Sequence, residues 1–126
     1  MKKMNKSSSR WHSIRFALQG IKTILKTEKN TWIYIPISLV VILLGIYFHI
    51  TSTEWIAIVL CIGLVWSFEA ANTALEALVD LNTNEIHPIA AIAKDCAAAA
   101  VLIIAITSAV IGAIIFIPHF LKLLGA

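Results

Sequence analysis

From Ala97 to Ile117 the chain runs without a charged side chain. A helix needs roughly 20 apolar residues to cross the hydrocarbon core of a bilayer, and this run supplies them. No water reaches backbone amides at that depth, so a segment that spans alone must be helical. A second uncharged run extends from Trp32 to Phe48, and a third from Trp55 to Phe68. The third reaches spanning length only if its helix continues through Glu69 and Asn72 to about residue 80. Those polar groups then lie near one membrane face. With 60% hydrophobic and 13% charged residues in a chain of 126, a soluble monomer would leave much apolar surface in water, because small domains bury proportionally less. The expected fold is all-α and integral to the membrane, a single domain with transmembrane helices over 31–50, 54–80 and 88–118.

The charges are few and unevenly placed. Eight of the ten Lys and Arg residues fall in the first 29 positions, and five of the seven acids fall between residues 69 and 95. Basic residues mark the cytoplasmic side of a span. The N-terminal segment and the stretch 80–95 are therefore expected inside, with 49–54 and the C-terminus outside. Glu28 then faces the same side as the acidic cluster. Residues 1–10 read as a disordered basic tail. The basic region is too long, and the first apolar run lacks the small-residue cleavage pattern, for a signal peptide. Over 11–29 the apolar residues Trp11, Ile14, Leu18, Ile21 and Leu25 recur at spacings of three and four. They draw one stripe on an amphipathic helix, with Arg15, Lys22, Lys26 and Lys29 off it. Such a helix lies in the interface, with its cations toward anionic headgroups.

The acids are the feature that a simple anchor does not need. At 100° per residue, Glu69, Asn72, Thr73, Glu76 and Asp80 share a sector of roughly 100° on an otherwise apolar helix. Carboxylates at membrane depth are costly and usually have a partner or a task. Glu69 and Glu76 are about 10 Å apart along the axis, too far for both to hold one ion unaided. A metal there needs a carboxylate from elsewhere, such as Glu28. Mg²⁺ accepts that arrangement: one or two carboxylates, with phosphate oxygens and water completing its octahedron. Glu69 lies deeper, where partial desolvation makes a carboxylate a better base near neutrality.

Beyond the stripe, residues 81–86 form a polar turn, and His87-Pro88 marks a helix start. Lys94 is the only Lys or Arg between residues 29 and 122. It faces the carboxylates, as a residue that neutralises phosphate would. Glu85 and His87 are loop polars within reach of the same side. There is no G-x-x-x-x-G-K-[ST] loop and no kinase-type glycine-rich loop. Cys61 and Cys96 match no metal or disulfide spacing and read as small buried hydrophobes.

Three motifs carry a resemblance to a known family. The run Glu69-Ala-Ala-Asn72-Thr73-Ala-Leu-Glu76-Ala-Leu-Val79-Asp80 resembles the E-x-x-N-[ST]-A-[IL]-E-x-x-V-D signature of the prokaryotic-type diacylglycerol kinases. Ala93-Lys94-Asp95, followed by small residues and Val101-Leu102, is similar to that family's A-K-D-x-[AG]-A-[AG]-A-V-L. Glu28-Lys29-Asn30 after an amphipathic helix is the third. Together they cover about residues 11–121. The resemblance implies a surface helix plus three transmembrane helices, assembled as a homotrimer with active sites shared between protomers. It also implies the bacterial inner membrane, with the N-terminus and active site on the cytoplasmic side. The implied activity is ATP- and Mg²⁺-dependent phosphorylation of a membrane lipid alcohol. Glu69 matches the general base and Asn72 the amide near the transferring phosphate. Glu28 and Glu76 match the carboxylates that hold nucleotide-bound Mg²⁺. Lys94 and Asp95 match nucleotide-contacting residues, Glu85 and His87 the loop that meets the nucleotide, and Asp80 joins that set. Just before Arg10, where the family has a cation, this chain has Ser9, so the resemblance leaves that contact unassigned, with Arg10 as a neighbouring candidate.

The Glu-Lys-Asn and Val-Asp-Leu forms, and the stretch Phe116-Ile117-Pro118, resemble the Gram-positive-type branch, which is associated with undecaprenol. The region Thr31–Tyr34 lacks the further acid of the branch associated with diacylglycerol. Undecaprenol is therefore the expected substrate and diacylglycerol the alternative. A reading of another class is a non-enzymatic oligomeric scaffold, in which the polar stripe serves contacts between protomers. A channel is disfavoured, because the outer halves of the spans carry no polar path.

Overall fold

The structure is a computed structural model that describes residues 6–126, with side chains from Arg10 onward. Among the described residues all regular secondary structure is helical: α1 (Lys6–Thr27), α2 (Thr31–Tyr47), α3 (Ser52–Asn82) and α4 (Pro88–Leu123). The chain is an all-α membrane protein. Helices α3 and α4 are each long and apolar enough to cross a bilayer. Helix α2 has 17 residues, about 26 Å at 1.5 Å per residue. It is short for a span and is joined to α1 across a bend of 106°, so α1 can lie in the interface while α2 enters the bilayer.

Several boundaries differ from the expected ones. Helix α1 begins at Lys6, so residues 6–10 are helical and not tail; the rest of the expected tail, residues 1–5, lies outside the described residues. Once the amphipathic run nucleates a helix, extending it by a few residues is inexpensive. Helix α2 ends at Tyr47, because His49 takes a positive φ of 51° and turns the chain. Helix α4 runs through Pro118 to Leu123. That proline removes one backbone hydrogen bond. Contacts of the following residues offset the loss: His119 stacks on Phe48 with ring centroids 5.4 Å apart, and Phe120 meets the same ring edge-on at 4.9 Å.

The helix starts are well specified. Thr51 and Glu54 form a capping box on α3: the Thr51 hydroxyl accepts from the Glu54 amide at 3.3 Å, and the Thr51 amide donates to Glu54 Oε2 at 2.7 Å. His87 caps α4, its Nδ1 accepting from the Ile89 amide at 3.2 Å with Pro88 following. Helices α3 and α4 then pack against each other along most of their length, while α1 and α2 touch α3 more lightly. The apolar core lies toward the α2–α3 turn, where Ile50, Ile58, Ile115 and Phe116 gather Leu44, Phe48 and Trp55 around them. At Gly45 a Cβ atom would stand 2.8 Å from the Trp55 ring, so glycine permits this close approach.

The apolar stripe of α1 stays uncovered: Trp11, Ile14, Leu18, Ile21 and Leu25 are all exposed, and the helix seats on the protein through Ile24. An uncovered stripe with exposed Arg15, Lys22 and Lys26 beside it is the surface that an interfacial helix presents to a bilayer. The corner between α1 and α2 is held by polar contacts. Thr31, almost fully buried, donates its hydroxyl to the Ile24 carbonyl at 3.1 Å. This corner brings residues 28–31 onto α3.

Candidate active site

Only three polar side chains are buried among the described residues, and two of them stand one turn apart on α3: Glu69, 1% exposed, and Asn72. Burying a carboxylate without full hydrogen bonding costs folding free energy. Glu69 is incompletely satisfied. Its Oε1 accepts from Asn30 Nδ2 at 3.1 Å, while its Oε2 has no partner. Asn72 donates through Nδ2 to Glu76 Oε1 at 3.2 Å, and its Oδ1 is also buried and unpartnered. Thr73 links the corner to this stripe, donating to Glu28 Oε1 at 2.8 Å and approaching the Glu69 carbonyl at 3.0 Å. Glu28 and Glu76 both lie within electrostatic reach of Glu69. A single chain therefore brings Glu28, Glu69 and Glu76 together. Sharing between protomers is not required for that grouping.

The stripe divides at its end. Asp80, one turn beyond Glu76, faces α4 and pairs with Lys94. Both are substantially exposed, so the pair contributes little to stability and Lys94 is available for another anion. Lys94 also lies within electrostatic reach of Glu76, which joins the two groups. Asp80, Glu85, His87 and Lys94 line a cleft of about 410 Å³ between the α3–α4 turn and the start of α4. That volume lies within the roughly 300–1,000 Å³ range of small-molecule sites. Asp95 is exposed one residue beyond Lys94 and does not line the cleft.

Two residues outside the expected set belong to this arrangement. Asn30 touches Glu69 directly, and Thr73 joins Glu28 to α3. Thr73 was legible as a member of the polar stripe. Asn30 follows Glu28 by two positions, but its reach to Glu69 depends on the corner.

The donor set suits a hard cation. Glu28 and Glu76 offer carboxylate oxygens, Asn72 a free amide oxygen, and no soft ligand is near. Among the described residues no group of three or more His, Cys, Asp and Glu could form a protein-only cage. Mg²⁺ with phosphate oxygens does not need one. The residues present therefore fit Mg²⁺ bound together with a nucleotide.

Below Glu69, an apolar groove of about 340 Å³ runs between α2, α3 and α4. Tyr34 and Val65 line its upper part, and Ala109, Gly112 and Phe116 its deeper part. Tyr34 lies within electrostatic reach of Glu69 and meets Trp66 edge-on at 6.2 Å. The lining of the groove thus begins at Val65, one helical turn from Glu69, and includes no carboxylate.

Comparison with known proteins gives a consistent result. The sequence model described as prokaryotic diacylglycerol kinase matches residues 15–116. The chain is 40% identical over 100 residues to the undecaprenol kinase of Bacillus subtilis, covering 79% of this chain and 81% of that one. It is 35% identical over 113 residues to a diacylglycerol kinase of Synechocystis sp., covering 89% of this chain and 65% of that one. It is 31% identical over 106 residues to a diacylglycerol kinase of Haemophilus influenzae, covering 83% and 90%.

Proposed function

This chain belongs to the prokaryotic diacylglycerol kinase family, and we propose from that premise that it transfers the γ-phosphoryl group of ATP to undecaprenol. Family membership makes it a lipid kinase and sets aside the scaffold reading. The observation that carries the proposal is Glu69: a buried carboxylate with one oxygen held by Asn30 and the other free, one helical turn from Val65, where an apolar groove begins.

The chemistry follows from that placement. The chain of the lipid alcohol occupies the groove and presents its hydroxyl at Glu69 Oε2. The carboxylate takes the hydroxyl proton as the lipid oxygen forms its bond to the γ-phosphorus. The bond from that phosphorus to the bridging oxygen breaks, and ADP leaves. Phosphoryl transfer asks the protein mainly for positioning and charge neutralisation. Glu28 and Glu76 would hold Mg²⁺, which when bound neutralises phosphate charge. Lys94 exchanges Asp80 for a phosphate oxygen, with Asp80, Glu85 and His87 around the nucleotide, Asp95 at the exposed edge beyond the cleft, and Asn72 beside the transferred group. Lys94 and the other cytoplasmic-side residues meet ATP from the inner face of the bacterial cytoplasmic membrane. The exposed apolar faces of the spans are open to lipid and to further copies of the chain, and the assembly proposed is a homotrimer.

Two observations favour undecaprenol over diacylglycerol. One relative carries that name at 40% identity. The groove is also lined mainly by apolar side chains, with Tyr34, Ser38 and Ser108 as its hydroxyl groups, and a long hydrocarbon suits that lining better than the two esters of diacylglycerol do. A polyprenol carries one polar group, its hydroxyl. Purified protein in micelles should phosphorylate undecaprenol with a kcat/KM about tenfold or more above that for diacylglycerol. The reverse preference makes the chain a diacylglycerol kinase, and transfer to neither overturns the reading.

The groove predicts chain-length selectivity. Gly112 lines the groove, and a Cβ there meets nothing within 4 Å, so the position has room for the first atom of a side chain. Gly112→Leu should lower kcat/KM for undecaprenol by about tenfold, a loss of order 1–3 kcal/mol. A ten-carbon prenol, which ends above Gly112, should be phosphorylated as before. Equal losses on both alcohols would remove the long chain from this groove.

A further inference from the structure

Asn30 occupies the N-cap position of α2, where asparagine normally accepts a hydrogen bond from the first turn of its own helix. Here it makes no side-chain cap bond. Its amide nitrogen donates instead to Glu69 Oε1, 3.1 Å away and 39 positions along the chain. The other corner contacts do not depend on it: Thr73 binds Glu28, and Thr31 binds the Ile24 carbonyl. The side chain thus gives up its local role, and the fold holds the corner by other means.

We infer that Asn30 is a positioning residue for the phosphoryl transfer. By fixing Oε1 of Glu69, it leaves Oε2 as the one oxygen free to receive the hydroxyl proton, at a set place and angle. A carboxylate attached by three rotatable bonds would otherwise present either oxygen in several orientations. The corner between the surface helix and the first span therefore orients the base on the second span. Nucleotide-side residues and the groove are untouched by this contact, so its effect falls on turnover and not on substrate binding.

The inference rests on the assignment of Glu69 as the base, and the test separates the two. Asn30→Ser and Asn30→Ala both remove the amide N–H, add no charge beside Glu69, and disturb no cap, because Asn30 makes no side-chain cap bond. Each should lower kcat on undecaprenol by about 10²-fold, the scale expected for misplacing a reacting group by about 1 Å. KM for ATP and for the lipid should stay within about twofold, while the thermal midpoint in detergent should fall modestly, because the buried Glu69 carboxylate loses its one side-chain donor. Wild-type kcat in either variant overturns the inference, and so does a loss that appears as raised KM or as a smaller folded fraction at the assay temperature. Glu69→Gln is the control: if it retains full activity, the assignment of the base fails, whatever the Asn30 variants do.

Discussion

Glu69→Gln should lower kcat by about 10²–10⁴-fold, the range expected for losing a general base, and leave the protein folded. The substitution is nearly isosteric. Its amide oxygen can accept from Asn30 as Glu69 Oε1 does, so the corner stays attached to α3. What it cannot do is take a proton from the lipid hydroxyl. Its stability should be equal to or greater than that of the wild type, because a neutral amide is cheaper to bury than a carboxylate with an unpartnered oxygen. The measurement is phosphate transfer to undecaprenol alongside a thermal melt and ATP binding. Lost turnover with retained ATP affinity and an unchanged or higher melt is the expected result. Undiminished turnover would remove Glu69 from the chemistry.

That a carboxylate sits where it costs stability was legible in outline. The 100° arithmetic placed Glu69, Asn72, Thr73 and Glu76 on one face of α3, and the structure holds all four around one corner. The arithmetic also grouped Asp80 with the others, yet at the end of a 31-residue helix the neighbour is α4 and the partner is Lys94. Helical register states which residues share a face, but not which helix covers that face at each level.

The same limit explains Asn30. Residues 28–31 read as a break between an amphipathic run and an apolar one, and a break has no direction in sequence. Only the 106° bend aims Asn30 at α3. The α2 boundary was missed for a related reason: Phe48 and Ile50 are as apolar as the helix they follow, so hydropathy carries on where His49 turns the chain. Pro118 shows the converse. A local helix breaker was outweighed by tertiary contacts, as His119 and Phe120 close on Phe48 from α4.

Glu76→Gln should reduce activity by about 10²–10³-fold, the equivalent of several kcal/mol of lost charge stabilisation, and the loss should depend on Mg²⁺. Glu76 stands between the two halves of the site. Its Oε1 is held by Asn72 on the side of Glu69, and its charge reaches Lys94 on the side of the nucleotide cleft. Glutamine keeps an oxygen for Asn72 and removes the negative charge that a cation needs. Raising the Mg²⁺ concentration should therefore recover part of the activity of Glu76→Gln. Glu28→Gln should behave alike, since Glu28 is held by Thr73 in the same way. Glu69→Gln should not respond, because added metal cannot replace a proton acceptor. Titrating Mg²⁺ against turnover in the three variants thus separates the metal carboxylates from the base. If the loss in Glu76→Gln is the same at every Mg²⁺ concentration, Glu76 does not hold the ion, and its part in the site reduces to orienting Asn72.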